Sequence, residues 1–224
     1  MRTTRPLTPA IDRRRLLLGA SAGLGALAAG GTALLRSGPA LAAPRIGQPA
    51  PAFSATDTNG VVRNLADLKG KVVVLEWTNA DCPYVGKHYR AGNMQKLQKE
   101  ATGAGAVWLS VISSAPGEQG HVDPAGANGL TASRNAAPSG IILDPDGKIG
   151  RAYSAQVTPH MYVIDAEGVL RYMGGIDSIA STQIADIDKA QPYLRNAVLA
   201  VSQGKPVQQT VTRPYGCTIK YVGA

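Results

Sequence analysis

The sequence predicts an α/β domain built on a mixed central sheet, with a hairpin at its start and a tail after its last helix. Three observations predict it. Two apolar runs, residues 72–77 and 106–112, have the length of buried strands and are separated by a segment with helical spacing. Two further runs, 161–164 and 169–173, flank Asp165-Ala166-Glu167-Gly168, the composition of a hairpin turn. Residues 191–203 place Leu194, Ala197, Val198 and Val201 on one helical face. Strands joined across a helix run parallel and strands joined by a tight turn run antiparallel, so the sheet is mixed.

The elements follow in chain order. Residues 53–56 and 61–63 flank Asp57-Thr58-Asn59-Gly60, and Asn-Gly is a strong hairpin signal. The run 72–77 is the first core strand. Residues 83–101 repeat apolar groups at Tyr84, His88-Tyr89, Met94, Leu97 and Ala101, which predicts one helix. The run 106–112 is the second core strand, and 113–128, rich in Gly, Pro and Ala, is a loop. A short helix over 130–136, a strand at 141–143, a turn at Asp144-Pro145-Asp146-Gly147 and a helix over 148–154 complete the middle of the domain. Pro192 suits the first turn of the last helix. The tail, 205–224, has little periodicity.

Residues 1–42 are set apart as a targeting leader. Arg13-Arg14-Arg15 precedes a Gly/Ala-rich apolar stretch, residues 16–35, and Ala40-Leu41-Ala42 suits cleavage before Ala43. Paired arginines ahead of such a stretch resemble a twin-arginine signal, although Asp12 stands where Ser or Thr is usual and Leu18 where Lys is common. The expectation is twin-arginine-type export and a periplasmic or secreted domain of residues 43–224; the alternative is a membrane anchor formed by residues 16–35. The leader holds six arginines and one aspartate, so most of the formal charge of +8 leaves with it. What remains is an ordinary surface without a basic, aromatic-interleaved stripe, and nucleic acid is not an expected partner.

Chemistry concentrates at Cys82, in Asn79-Ala80-Asp81-Cys82-Pro83-Tyr84, between the first core strand and its helix. A thiol there faces unpaired amides and the positive end of the helix dipole, which favour thiolate, the reactive form. The other cysteine, Cys217, lies in the tail. An exported chain with two cysteines can join them in an oxidising compartment. Glu76 places a charge inside a buried strand, either at its open end or for a function.

The chain resembles the redoxins of the alkyl-hydroperoxide-reductase/thiol-specific-antioxidant group, and among them the peroxiredoxin-like subfamily. The resemblance rests on Asn79 to Val85, Thr158-Pro159-His160-Met161-Tyr162-Val163-Ile164-Asp165, Gly175-Ile176-Asp177 and Gly216-Cys217-Thr218-Ile219-Lys220-Tyr221. It implies a thioredoxin-like three-layer sandwich, antioxidant-type thiol chemistry at Cys82, and a cis Pro159 facing it. Thr158 and His160 flank that proline, and Asn79 and Pro83 shape the cysteine's turn.

Two departures shape the functional expectation. Asn79 stands where thioredoxins carry the first cysteine of Cys-x-x-Cys, so no dithiol cycle runs within that motif. The arginine that peroxiredoxins bring near the Pro159 position is absent. The leading expectation is a thiol oxidoreductase that reduces peroxides or disulfides with Cys82 as the reactive thiol. Cys217 is then the resolving thiol or a structural cysteine, and a thiol-disulfide donor protein supplies electrons. No cofactor is expected. The alternatives are a redox-inactive binding domain and a copper-binding protein using Cys82, Cys217, His88, His121 and His160.

Overall fold

The fold begins, in the computed structural model, with the hairpin of β1 (Ser54–Thr56) and β2 (Val62–Asn64). Asp57 clasps its turn, accepting from the amides of Asn59 and Val61 and from Arg63 Nε at 2.8 Å. The structure describes residues 43–223; the leader expected at 1–42, with its apolar stretch, lies outside the described residues. Among the described residues no helix is long and apolar enough to cross a membrane.

The remaining elements are β3 (Val73–Trp77), α1 (Pro83–Arg90), α2 (Asn93–Gly103), β4 (Val107–Ile112), α3 (Pro124–Ser133), β5 (Gly140–Leu143) and α4 (Lys148–Ala152). After them come β6 (Val157–Thr158), β7 (His160–Ile164), β8 (Leu170–Gly174), α5 (Tyr193–Ser202) and β9 (Cys217–Thr218). Five strands form the central sheet in the order β5-β4-β3-β7-β8. Strands β3, β4 and β5 are parallel, while β7 runs antiparallel to both β3 and β8, so the sheet is mixed as expected.

The strands are apolar throughout because both sheet faces are covered, and their period of two divides the side chains between two cores. Val73, Leu75 and Trp77 of β3 join Val107, Leu109 and Val111 of β4 and Tyr162 and Ile164 of β7 on one face. Tyr153, beside α4, closes that face, its ring 5.4 Å from Trp77 and 5.3 Å from Tyr162. Val74, Trp108, Met161 and Val163 point the other way, against Val85, Met94, Leu97, Leu194 and Ala197 of α1, α2 and α5. The sheet therefore lies between two layers, the thioredoxin-like sandwich.

Glu76 is fully buried on that second face. Trp108 Nε1 and Tyr89 Oη donate to its carboxylate at 2.8 Å, Ser110 Oγ at 3.1 Å and Gln98 Nε2 at 3.2 Å. It is the penultimate residue of β3 yet fully enclosed, and it ties β3, β4, α1 and α2 together. A buried charge is tolerated only when its lone pairs are filled, and here four donors fill them.

Three expectations are corrected. The helix expected over 83–101 is two helices, broken where Gly92 adopts φ 70°. Left-handed backbone ends α1, and the five-residue step from Tyr89 to Met94, too long for one helical face, marks the break. The loop expected over 113–128 already contains the start of α3, because Asp123 caps that helix by accepting from the Gly126 amide at 2.7 Å. The tail is also docked: β9 pairs with β6, the Ile219 amide donates to Gln156 O at 3.0 Å, and the Ile219 side chain is buried.

Replacing Glu76 by Leu strands four donors in the interior and is expected to lower unfolding stability by about 3 kcal/mol. Urea denaturation followed by tryptophan fluorescence measures it. A loss below about 1 kcal/mol would show that the cluster is not an anchor of the fold.

Candidate active site

Strand β3 leaves the sheet at Trp77 and turns sharply through Asn79. Asn79 Oδ1 accepts from the Asp81 amide at 2.8 Å, and the Asn79 carbonyl accepts from the Cys82 amide at 3.2 Å. The asparagine that replaces a cysteine thus builds the turn that presents the remaining one. It is buried, and Gly120 packs so closely on it that a Cβ there would lie 2.4 Å from its side chain. Cys82 is the residue before α1, in extended backbone, with Pro83 in the first turn as expected.

Cys82 is only 1% exposed, so it is not an open thiol at the sheet rim as its position at a strand end implies. What covers it is chemically specific. Its S–H donates to the Thr158 carbonyl at 3.0 Å. The Thr158–Pro159 bond is cis, as the family resemblance implies. The same Thr158 lies opposite Cys217 in the β6–β9 pairing, so one backbone residue meets both cysteines. Gly216 makes this approach possible: its φ is +143°, and a Cβ there would stand 1.9 Å from the Thr158 oxygen. Both cysteines are free thiols, and Cys217 packs into the same apolar cluster as Cys82.

The two thiols are electrostatically unequal. Burial pushes the Cys82 pKa up, but four donors outweigh it: the Cys217 S–H, the amides of Val85 and Cys217, and the Thr158 hydroxyl. The net pKa falls below the ordinary thiol value. Val85 acts without completing a capping hydrogen bond, as part of the positive end of α1. Cys217 is driven the other way, to about 12, by burial, by its hydrogen bond to Cys82 and by the Cys82 charge. Of the two, Cys82 is the more readily ionised thiol.

A buried polar knot holds the segment that carries Cys217. Lys87 Nζ donates to Ile179 O at 3.2 Å, Tyr215 Oη at 3.3 Å and Asp177 Oδ2 at 3.4 Å, and Tyr215 Oη donates to Asp177 Oδ1. His88 Nε2 lies 3.2 Å from Tyr215 Oη, and Asn93 Nδ2 donates to His88 Nδ1 at 2.8 Å. Lys87 and His88 are fully buried. Burial lowers the His88 pKa to about 4, with Asp177 opposing and Lys87 reinforcing the shift, so the ring is neutral at neutral pH. Tyr215 therefore pins the tail to α1 two residues before Cys217. The sequence signal for this knot is His88 on a helical face and Asp177 in Gly175-Ile176-Asp177; Tyr215 lies just before the Gly216–Tyr221 stretch and carries no signal of its own.

The other expected ligands and neighbours lie elsewhere. The His160 ring packs on Tyr162 at 4.6 Å, and its Nδ1 accepts from the Gln156 amide, on the sheet face away from Cys82. Burial lowers its pKa to about 4. His121 meets Ser114 O at 3.2 Å. Among the described residues no three of His, Cys, Asp and Glu gather as a metal site. A cavity of about 830 Å³ opens at the opposite end of the sheet, around Gly70–Val72 and Lys205–Val207, with no thiol in its wall. A second, of about 650 Å³, has Cys82 in its wall.

Comparison with known proteins agrees with this geometry. The AhpC/TSA family pattern matches residues 46–173. A hypothetical protein from Sinorhizobium meliloti superposes with a TM-score of 0.67 at 24% identity, over 80% of this chain and 96% of that one. An uncharacterised conserved protein from Geobacillus kaustophilus gives 0.68 at 21% identity, over 80% and 94%. A candidate thiol:disulfide interchange protein, DsbE, from Chlorobium tepidum gives 0.52 at 21% identity, over 71% and 99%. These likenesses establish the fold. No curated protein matches the chain significantly. The family match covers more than half of the sequence, and the chain belongs to the AhpC/TSA family of thioredoxin-fold redoxins.

Proposed function

We propose that the protein is an exported thiol oxidoreductase in which Cys82 attacks and Cys217 resolves. One observation carries this reading: Cys217 is held in register opposite Thr158, whose carbonyl binds the Cys82 thiol at 3.0 Å. The unequal pKa shifts assign the order. Cys82, as thiolate, attacks one sulfur of a substrate disulfide; a mixed disulfide forms and the other substrate sulfur leaves as thiolate. With a hydroperoxide, Cys82 takes one oxygen to become a sulfenic acid, and the alcohol or water leaves after protonation.

The first step prepares the second. Two of the three causes that hold the Cys217 proton are the Cys82 hydrogen bond and the Cys82 charge, and both end when Cys82 is modified. Cys217 then loses its proton more readily and attacks the Cys82 sulfur. The Cys82–Cys217 disulfide forms, releasing the second substrate thiol or, from the sulfenic acid, water. A donor dithiol protein reduces the pair again. The leader expected at 1–42 supports a cycle outside the cytoplasm, with the twin-arginine machinery as the proposed export partner. The likeness to a candidate thiol:disulfide interchange protein supports disulfides as one substrate class.

Thiol titration before and after a stoichiometric oxidant is the direct test. Wild type is expected to lose two thiols per chain reversibly, and neither Cys82→Ser nor Cys217→Ser forms the intramolecular disulfide. Two thiols that survive prolonged oxidant exposure would instead mark a redox-inactive binding domain.

The pH dependence follows from the sign of each shift. The Cys82 pKa is depressed, so its alkylation by a neutral reagent persists below the usual thiol midpoint and is lost as pH falls through the lowered value. Cys217→Ala removes a donor to the thiolate and is expected to move that midpoint upward, while Cys217→Ser, which keeps a donor, moves it less. A midpoint indifferent to both changes would refute the Cys217 contribution.

Tyr215→Phe tests the knot. It removes the hydroxyl shared by Lys87, His88 and Asp177, and disulfide closure is expected to slow by about tenfold or more as the tail loosens. Stopped-flow tryptophan fluorescence or quenched alkylation reads the rate. Unchanged closure, with an unchanged Cys82 midpoint, would show that Tyr215 does not position Cys217.

A further inference from the structure

The groove of about 650 Å³ beside Cys82 is walled by the Cys82 turn, α1 and the end of α3, and two guanidiniums line it. Arg134, at the C-terminus of α3, donates from Nη2 to the Ala80 carbonyl at 3.0 Å, two residues before Cys82. Its guanidinium also stacks over the Tyr89 ring at 5.0 Å, and Gln95 braces its backbone by donating to Arg134 O at 2.7 Å. Arg90 folds back along α1 and lies over Gly86, four residues after Cys82. A Cβ on Gly86 would stand 2.6 Å from Arg90 Nη1. A glycine inside a helix costs about 0.5–1 kcal/mol relative to alanine, and here it leaves the space that the guanidinium occupies.

Neither arginine is neutralised. Among the described residues the ion pairs engage Arg63, Arg171, Arg195 and several lysines, and none engages Arg90 or Arg134. Asp81 is the one carboxylate on the groove wall, so the wall carries two positive groups against one negative. Arg134 spends one N–H on Ala80 and has others free, in a fork suited to a carboxylate. Arg134 is held by the turn that presents Cys82, and Arg90 lies along the helix that follows it.

We infer that this groove is an anion subsite, and that the substrates of Cys82 carry a carboxylate close to the disulfide or hydroperoxide bond that the sulfur attacks. The inference rests on Cys82 being the reactive thiol and adds the class of molecule it receives. Arg134 and Arg90 bind the substrate's carboxylate, and Asp81 limits how much negative charge the site accepts. The reacting atoms are those of the cycle already given, with no further oxidant or reductant.

The test separates anion recognition from turnover. In the full chain carrying Cys217→Ser, Cys82 is alkylated in parallel with iodoacetate, which is anionic, and iodoacetamide, which is neutral. The readout is the ratio of the two rates, since any general loss of thiolate slows both alike. Arg90→Gln with Arg134→Gln is expected to lower the iodoacetate-to-iodoacetamide ratio by about tenfold at low salt. Asp81→Asn should raise the ratio, and 0.5 M salt, as a probe condition, should narrow the differences among all variants. Gly86→Ala, which displaces Arg90 and leaves both charges in the chain, should lower it partway. A ratio unchanged by the arginine substitutions overturns the subsite, and so does a Cys82 that neither reagent reaches.

The two substrate sources are then compared with wild-type protein and the double arginine variant. Dithiodipropionate is set against bis(2-hydroxyethyl) disulfide, and 3-hydroperoxy-3-methylbutanoate against tert-butyl hydroperoxide; the pair whose anionic preference collapses identifies the source. Charge-selective alkylation without consumption of any of these would retain the subsite and refute the redox cycle. Turnover without charge preference would do the reverse.

Discussion

The backbone of Thr158 is the point on which the site depends. Its carbonyl takes the Cys82 thiol at 3.0 Å, and its place in β6 pairs it with Cys217 in β9. The carbonyl reaches Cys82 because β7 follows immediately and is locked antiparallel to β3, the strand that ends in the Cys82 turn. The tail reaches Thr158 because Gly216 has no side chain to collide with that same oxygen. Two cysteines far apart in sequence therefore meet through a two-residue strand pair.

Distance along the chain sets the energetic problem. Closing a long loop costs entropy that grows only slowly with its length, but an undocked tail would rarely bring Cys217 to Cys82. The fold meets that cost before any chemistry. Ile219 enters the core cluster beneath the sheet, Tyr221 donates to Ala155 O at 2.8 Å, and Tyr215 is held by Lys87, His88 and Asp177. Cys217 is thus fixed on both sides by side chains that have no chemistry of their own. A buried charged network is an expensive way to add stability, and its better use is to specify one arrangement over others. Here the arrangement specified is the tail against α1.

Much of this was legible in the sequence, and the reasons are local. Cys82 stood out because a strand, a turn and a proline-started helix are written in consecutive residues. The mixed sheet followed from two apolar runs and one hairpin. The break at Gly92 was masked because Met94, Leu97 and Ala101 keep helical spacing among themselves, and only the step from Tyr89 betrays the shift. Docking of the tail left no trace in periodicity, since a strand of two residues has no period to read. Glu76 was hard to read because a charge inside a buried strand usually marks an open end or a site, and here it is enclosed by partners that lie far away in sequence. His160 was misplaced because the alternation of β7 turns it to the face opposite Cys82, which proximity to Pro159 in sequence does not reveal.

The burial of Cys82 is the fact that most constrains its chemistry. A thiolate at 1% exposure is stable only while donors surround it, and the strongest of these belongs to Cys217. The same contact makes Cys217 a poor acid while Cys82 is charged. In the proposed cycle each thiol therefore sets the state of the other, and the pair moves through its states in one order. If the tail moved away, Cys82 would gain solvent but lose its main donor, becoming more exposed and less ionised together. In the proposed cycle the docked form is the reactive one, and the groove lined by Cys82, Arg90 and Arg134 is the route to it.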